Sequence, residues 1–278
     1  MTKHDLLTQE EFLKHRFYPP IYNALEKYRL ERGLEPHQVN VLDWGCGRGR
    51  DALWLLERGY NVFGVDIDGE PIENALSLYG LKGYHEDRLR LIDLSAKSDF
   101  ADGFFHFTFS NQSFEHASNL EQIASELWRV TAVDGAGLHI YPPDRGVREG
   151  HLYMPFVHWL PKNRSRWYLI HLCVMLGIEP RWQELNGKSV RQKTDRYYEY
   201  ILNNTFYRTY PYVRKLFESQ GFGVSFVTID HPKVQASRLV GPLARARLTR
   251  SLINYLLIEF VRVELLIKKP CDLADRSG

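Results

Sequence analysis

Only three cysteines occur in 278 residues, Cys46, Cys173 and Cys271. Their odd number and scattered positions exclude a disulfide framework, and none has the spacing of a zinc site. A reducing, cytoplasmic setting is expected. Charge of one sign is missing too: 36 Lys and Arg stand against 34 Asp and Glu, a formal +2. This excludes a polyanion binder that relies on overall charge and leaves local patches to consider. No uninterrupted apolar run is long enough to cross a bilayer. The longest late stretch, "SLINYLLIEFVRVELLIKKP", is broken by Asn254, Glu259, Arg262 and Glu264, each costly at a bilayer centre, so no transmembrane span is expected. The opening "MTKHDLLTQEEFLKHRF" has no apolar core and is not expected to act as a secretory signal. Internal repeats and low-complexity tracts are absent.

What is present is an alternation. From about residue 39 to 143, short apolar runs ("VNVLDW", "NVFGVD", "LRLID", "FFHFTFS", "AGLHIYP") are separated by amphipathic stretches, the signature of a parallel sheet flanked by helices. "RDALWLLERG" ends on Gly59 as a helix does, and "PIENALSLYG" opens on a proline suited to a first turn. "NLEQIASELWRV" carries Asn119 as N-cap, Gln122 three residues on, and Ile123, Leu127 and Val130 on one face. After Pro142-Pro143 this rhythm fails for about sixty residues, which predicts an inserted helical lobe. Order returns with the helix "YPYVRKLFESQ" and the strand "GVSFVTID"; a basic helical stretch follows over about 237–258, and "VRVELLIKK" alternates as a strand. The last two strands are expected to form an antiparallel edge.

Within "NVLDWGCGRGRDALWLLERG" the glycines Gly45, Gly47 and Gly49 lie between the first strand and a helix, where a ligand can approach the main chain. A dinucleotide site wants G-x-G-x-x-G, but here the spacing is G-x-G-x-G and Arg50 holds the third glycine's place. An acid, Asp43, stands just before the loop. It would repel a phosphate and attract an ammonium group, or else serve the loop's own N–H groups. Asp66, at the end of "VFGVD", is placed to accept from two ribose hydroxyls, with Asp68 as a second acid nearby. Ribose plus a cationic end describes S-adenosyl-L-methionine.

"VLDWGCGRGRD", "VFGVDID", "LRLIDLS" and "FFHFTFSNQSFEHASN" resemble the successive motifs of class I S-adenosylmethionine-dependent methyltransferases, in the branch that includes ubiquinone-biosynthesis-type enzymes. The resemblance spans residues 38–143 and, more loosely, the last strands; Trp44 is bulkier than is usual in the first motif. It implies a Rossmann-like, seven-stranded mixed sheet with the helical lobe inserted after the fifth strand. It places Asp43 and Gly45 near the methionine part, Gly47 and Gly49 under the backbone approach, and Asp66 with Ile67 at the ribose. Asp93 and Leu94 would lie beside the adenine, and Ser110 and Asn111 would face the reacting methyl. Asp93 reads equally as a helix cap, and Glu115 as a solvated helix start. The expected product is S-adenosyl-L-homocysteine.

These readings divide the chain into a cofactor-binding core with an N-terminal helical segment (1–143), an acceptor-binding lobe (144–205) and a segment that completes the sheet (206–278). An oxygen acceptor asks for a general base. His151 and His158 in "EGHLYMPFVHWLP" and His116 in "SFEHASN" are the base candidates, the last also read as a loop-packing residue. No metal is expected, because no carboxylate or cysteine partner stands at ligand spacing from the two lobe histidines. Arg145, Arg148, Arg164, Arg166, Arg181, Lys188, Arg191, Lys193 and Arg196, followed by Tyr197, Tyr198, Tyr200, Tyr207, Tyr210 and Tyr212, suit a phosphorylated or glycan-bearing small molecule, nucleic acid through phosphate contacts and stacking, or a solvated face over tyrosine packing. From 233 to 258, basic residues with Leu239, Leu243, Leu248, Leu252, Leu256 and Leu257 suit peripheral contact with an anionic membrane and a lipid-linked acceptor, or a plain surface helix. The favoured function is O-methylation of a small or lipid- or glycan-linked metabolite. The rivals are an RNA methyltransferase, whose binding would weaken steeply with salt, and a non-catalytic module that binds S-adenosylmethionine without turnover. A nicotinamide-dependent dehydrogenase is disfavoured by the glycine spacing.

Overall fold

A computed structural model of the chain describes residues 8–271. Its centre is one seven-stranded sheet: β1 (Asn40–Trp44), β2 (Asn61–Asp66), β3 (Leu89–Leu91), β4 (Phe105–Asn111), β5 (Thr131–Tyr141), β6 (Gly223–Phe226) and β7 (Val263–Lys268), in spatial order β3-β2-β1-β4-β5-β7-β6. β1 to β5 pair in parallel, while β7 is antiparallel to both β5 and β6. The mixed Rossmann-like sheet is therefore the expected one, with β7 wedged between β5 and β6. Strand order reverses between β1 and β4, and ligands of open α/β sheets bind outside the carboxyl ends at such a point.

Helices α1 (Gln9–Lys14), α2 (Pro19–Glu31), α3 (Arg50–Leu56), α4 (Gly69–Leu81) and α5 (Leu120–Val130) accompany the first half. After β5 come α6 (Arg164–Met175), α7 (Val190–Asn204) and α8 (Tyr210–Ser219), then α9 (Pro232–Gln235), α10 (Val240–Arg245) and α11 (Arg250–Phe260). Side chains of a strand alternate between faces, so each sheet strand feeds two cores. Val41, Phe107, Phe109, Leu138 and Ile140 pack with Ile21 and Leu25 of α2 and Leu53 of α3. Leu42, Trp44, Tyr141 and Leu265 pack on the opposite side with Ile123 and Leu127 of α5 and Phe217 of α8. Burying each such side chain stabilises by about 1.5–3 kcal/mol. A third cluster, including Leu152, Met154, Ile170, Tyr197 and Ile201, lies wholly within the helical segment after β5.

Several elements differ from the sequence expectation. β5 starts at Thr131, directly after α5, because the Thr131 hydroxyl closes the helix on the Leu127 carbonyl and a register shift against β4 takes up the left-handed Asp134. β6 stops at Phe226, since Val227 donates to the Glu264 carbonyl and the chain turns through Thr228–Asp230. The basic stretch over 237–258 is not one helix: Ala246 is extended and Thr249 turns its hydroxyl back on the Leu243 carbonyl, separating α10 from α11. Asp68 caps α4 through the Glu70 N–H at 3.2 Å, so this helix starts two residues before Pro71.

Alternation also sends Ser110 and His139 inward on the α5 side. The Ser110 hydroxyl meets His139 Nδ1 at 3.0 Å, Thr108 lies 3.4 Å from Nε2, and Phe114 stacks on the ring at 4.8 Å. Burial pushes the His139 pKa down to about 3. The folded state thus holds this ring neutral while the unfolded chain protonates it below about pH 6.5. Its contribution is complete above that pH and declines by about 1.4 kcal/mol per pH unit on acidification, until the folded pKa is reached. Urea melts at pH 6.5 and 4.5 should lose about 2 kcal/mol less in His139→Gln than in wild type; parallel losses would refute the assignment.

Candidate active site

A cavity of about 470 Å³ opens at the carboxyl ends of β1, β2 and β4. Its walls are Trp44 and Gly45 after β1, Asp66, Ile67 and Asp68 after β2, Ile92, Asp93 and Leu94 after β3, Gln112, Ser113 and His116 after β4, and Asn203, Asn204 and Phe206 at the end of α7. The volume suits a cofactor-sized ligand. Of the expected cofactor residues, Gly45, Asp66, Ile67, Asp93 and Leu94 meet here. Asp66 is the fixed anion: Oδ2 accepts from the Gly47 N–H at 2.7 Å and Oδ1 from the Asp68 N–H at 3.0 Å. Asp93 accepts from the Ser95 N–H at 2.8 Å, closing a turn where a helix cap was the alternative expected, since no helix follows it before β4, and it still lines the cavity. Leu94 is 73% exposed, an apolar rim available to a flat ring.

The remaining expected cofactor residues lie elsewhere. Asp43 follows Val41 onto the α3 side of β1 and is 3% exposed, away from the cavity wall. Burial and the neighbouring Asp51 and Asp66 carboxylates push its pKa well up, against a bond from the Ala52 N–H. One oxygen, Oδ2, has no partner. Ser110 is buried against His139, and Asn111, the last residue of β4, does not line the cavity either; Gln112 and Ser113 take that place. Gln112 has φ +59, which swings the chain across the sheet edge.

The glycines of the loop are also explained mostly from within. A Cβ on Gly45 would sit 2.3 Å from the Ser113 hydroxyl, and one on Gly49 would sit 2.6 Å from the Tyr79 hydroxyl. Both glycines are left-handed, at φ +75 and +62. Gly47, at φ +50, faces open space and contributes its N–H to Asp66. Gly49→Ala should lower stability by about 2–4 kcal/mol in urea melts, through strain plus the Tyr79 clash. A loss under about 0.5 kcal/mol would contradict this packing.

Of the three histidines expected as bases, only His116 lines the cavity. Its Nδ1 lies 2.6 Å from the Asn204 carbonyl, an acceptor, so Nδ1 carries a proton and Nε2 offers a lone pair. That Nε2 is 3.1 Å from His151 Nε2, and His151 Nδ1 is 2.9 Å from Glu149 Oε1. Tyr207 also donates to Glu149. Burial works against charge on His151, but Glu149 outweighs it and raises the pKa; burial lowers that of His116. Beside the pair, burial lifts the Glu115 pKa to about 7. His158 does not line the cavity and touches this group only through the Tyr207 ring. Tyr153 and Phe156 are left-handed, the stretch around Pro155 is irregular, and the buried His158 packs on Tyr207 with its pKa pushed down to about 4, chiefly by burial. Glu115, expected as a solvated helix start, is instead 1% exposed within the short turn Phe114–His116; Tyr207 was legible only as one of several tyrosines, and Glu149 carried no local signal.

None of the nine basic residues read from the lobe lines the cavity. Arg166 is buried on the Leu160 and His158 carbonyls, Lys193 pairs with Glu179 at 2.6 Å and Arg196 with Glu184 at 3.5 Å. The walls instead carry Asp66, Asp68 and Asp93, a surround that favours a cationic ligand.

Residues 42–138 match the family model described as "Methyltransferase domain". Among curated proteins, the chain is 28% identical over 99 residues to a probable chloroplastic tocopherol O-methyltransferase of Oryza sativa subsp. japonica, covering 35% of this chain and 27% of that one. It is 27% identical over 97 residues to a malonyl-[acyl-carrier protein] O-methyltransferase of Pectobacterium atrosepticum, covering 35% of this chain and 36% of that one. The chain thus spans only about a third of these relatives' length or less. A putative sarcosine dimethylglycine methyltransferase from Galdieria sulphuraria has a similar fold, with TM-score 0.50, 15% identity and 92% of each chain covered. Sheet order and matched segment define the class of the core: residues 42–138 match a methyltransferase domain, and the sheet that carries them has the class I, Rossmann-like methyltransferase fold.

Proposed function

We propose that the whole chain is an S-adenosylmethionine-dependent methyltransferase that modifies an oxygen of a small or lipid-linked acceptor. The observation that carries this reading is Asp66, clamped by two backbone N–H groups and presented to a cavity of about 470 Å³. A carboxylate so held is pre-oriented to accept from both hydroxyls of a ribose. Ile67 and Leu94 supply the apolar sides for the base, and the acidic walls suit the cationic end of the cofactor. When bound, the cofactor supplies an electrophilic methyl group: its carbon–sulfur bond breaks, a carbon–oxygen bond forms, and a neutral thioether is left.

The acceptor must lose a proton, and the groups placed to manage it are His116 and the chain behind it to His151 and Glu149. Asn203, Asn204 and Phe206 close the same cavity from the end of α7, which supports 144–205 as the acceptor-binding segment. Oxygen as the acceptor atom is favoured by the two curated relatives, both O-methyltransferases by name. Narrower placement in the ubiquinone-biosynthesis-like branch rests on the four sequence motifs. Incubating the purified protein and isotopically labelled methyl donor with metabolite extracts tests the reading: label should enter an oxygen-bearing small molecule or lipid. Tight cofactor binding with no labelled product from any pool would favour the non-catalytic module.

Location belongs to the same reading. Among the described residues no helix is long and apolar enough to cross a membrane. Yet Leu239, Leu243, Leu248, Leu252 and Leu256 are exposed, Leu248 by 97%, on a segment whose charges from 233 to 250 are all basic. Exposed leucines between arginines fit the interface of an anionic bilayer. The protein should cosediment with vesicles containing phosphatidylserine and not with pure phosphatidylcholine, and Leu248→Glu with Leu252→Glu should abolish this. Equal recovery with both vesicle types, or no effect of the double variant, would rule the contact out.

A further inference from the structure

We propose that Glu115, His116 and His151 form a binding site for a divalent transition-metal ion, zinc being the best match to the donors. One ligand atom from each residue lies within 4.8 Å of the others, and the two Nε2 atoms are 3.1 Å apart. The outer contacts of the rings decide what those Nε2 atoms can be. His116 Nδ1 meets the Asn204 carbonyl and His151 Nδ1 meets Glu149, so each neutral ring carries its proton on Nδ1 and turns an Nε2 lone pair on its neighbour. Two facing lone pairs repel unless a cation lies between them, either a shared proton or a metal.

Glu115 favours the metal. It is 1% exposed, neither oxygen has a hydrogen-bond partner, and it stands beside the histidine pair. A shared proton satisfies the rings but leaves this carboxyl unpartnered, at considerable cost in a buried position. A metal satisfies all three. The arrangement behind the rings is the one that metal-binding histidines use, with the second ring N–H given to a carboxylate or a backbone carbonyl, which fixes the tautomer. Two imidazoles and one carboxylate leave a four-coordinate zinc with an open position, and His116 brings the site to the cavity wall. An ion there would bind the acceptor oxygen and ease loss of its proton to solvent, the imidazoles then holding the ion instead of taking the proton.

The inference deepens the acceptor side of the proposed activity but can be read without turnover. After chelation and dialysis, the protein is titrated calorimetrically with zinc chloride and, separately, with cobalt(II) chloride while visible absorption is followed. One saturable site per chain and the d–d bands of tetrahedral cobalt are expected. His151→Ala and Glu115→Gln should each weaken zinc at least about tenfold, and Glu149→Gln about 10- to 100-fold. Folding of each variant is checked by thermal melting, and Glu115→Gln alone decides should His151→Ala not fold. No saturable binding by wild type, or unchanged affinity in Glu115→Gln, overturns the site and leaves the shared proton as the occupant. Cofactor calorimetry on the same samples separates the two proposals: cofactor heat without zinc binding removes the metal alone, and zinc binding without cofactor heat removes the methyl-donor reading alone.

Discussion

Asp66→Ala is expected to weaken S-adenosylmethionine by about 100-fold or more while leaving the fold intact. The Asp66 carboxylate is pinned by Gly47 and Asp68 N–H groups at 2.7 and 3.0 Å, so its remaining lone pairs are aimed before any ligand arrives. A hydrogen bond to a charged group contributes about 1.5–3 kcal/mol net, and two ribose hydroxyls make two such bonds. Their joint loss exceeds about 2.7 kcal/mol, which is the 100-fold change. Asp66→Asn keeps one acceptor oxygen and gives up the charge, so a smaller loss, about tenfold, is expected. Structural damage should be slight, because the Gly47 and Asp68 N–H groups lie at the edge of an open cavity where water can replace the carboxylate. Calorimetric titration of wild type and both variants provides the check; an affinity for Asp66→Ala within threefold of wild type would refute the ribose assignment.

His116→Ala should lower kcat by about 10²- to 10⁴-fold, the usual weight of a positioned proton-handling group, with cofactor affinity little changed. The expectation holds whether His116 takes the acceptor's proton or holds an ion that eases its loss. His116 is the member of the Glu149–His151–His116 chain that reaches the cavity, so its removal disconnects the other two from any bound acceptor. The deficit should shrink for a more acidic acceptor, which arrives already deprotonated, whereas a merely structural role for His116 would depress all acceptors alike. His158→Ala serves as the contrast: that ring lies off the cavity, so only stability should change. Rates with phenol-type and alcohol-type acceptors, measured once an acceptor class is found, decide between these outcomes.

Much of the core could be read before any coordinates. Asn119 caps α5 through the Gln122 N–H, and Asp66 ends β2 where the ribose acid was expected, because capping and strand ends are local matters that residue type and spacing control. Asp68, the second acid, caps α4 for a local reason as well, while still lining the cavity beside Asp66. Side-chain placement departed from expectation where the face of a strand decided. Asp43 and Ser110 lie at the right positions along β1 and β4, but alternation turns Asp43 toward α3 and Ser110 toward His139. Basic residues of the lobe were legible as charge and not as pairing; their partners, such as Glu179 for Lys193, are set by how α6 and α7 pack.

The order of strands and helices, the glycine loop and the acid at the end of β2 are properties of the sequence itself, since each depends on periodicity or on a few adjacent residues. The meeting of Glu115 and His116 after β4 with Glu149 and His151 after β5 and Tyr207 after α7 was decided by the tertiary structure alone. Those loops are brought together by the parallel pairing of β4 with β5 and the return of α7 to the sheet edge. Long-range packing of this kind leaves no regular spacing in the chain.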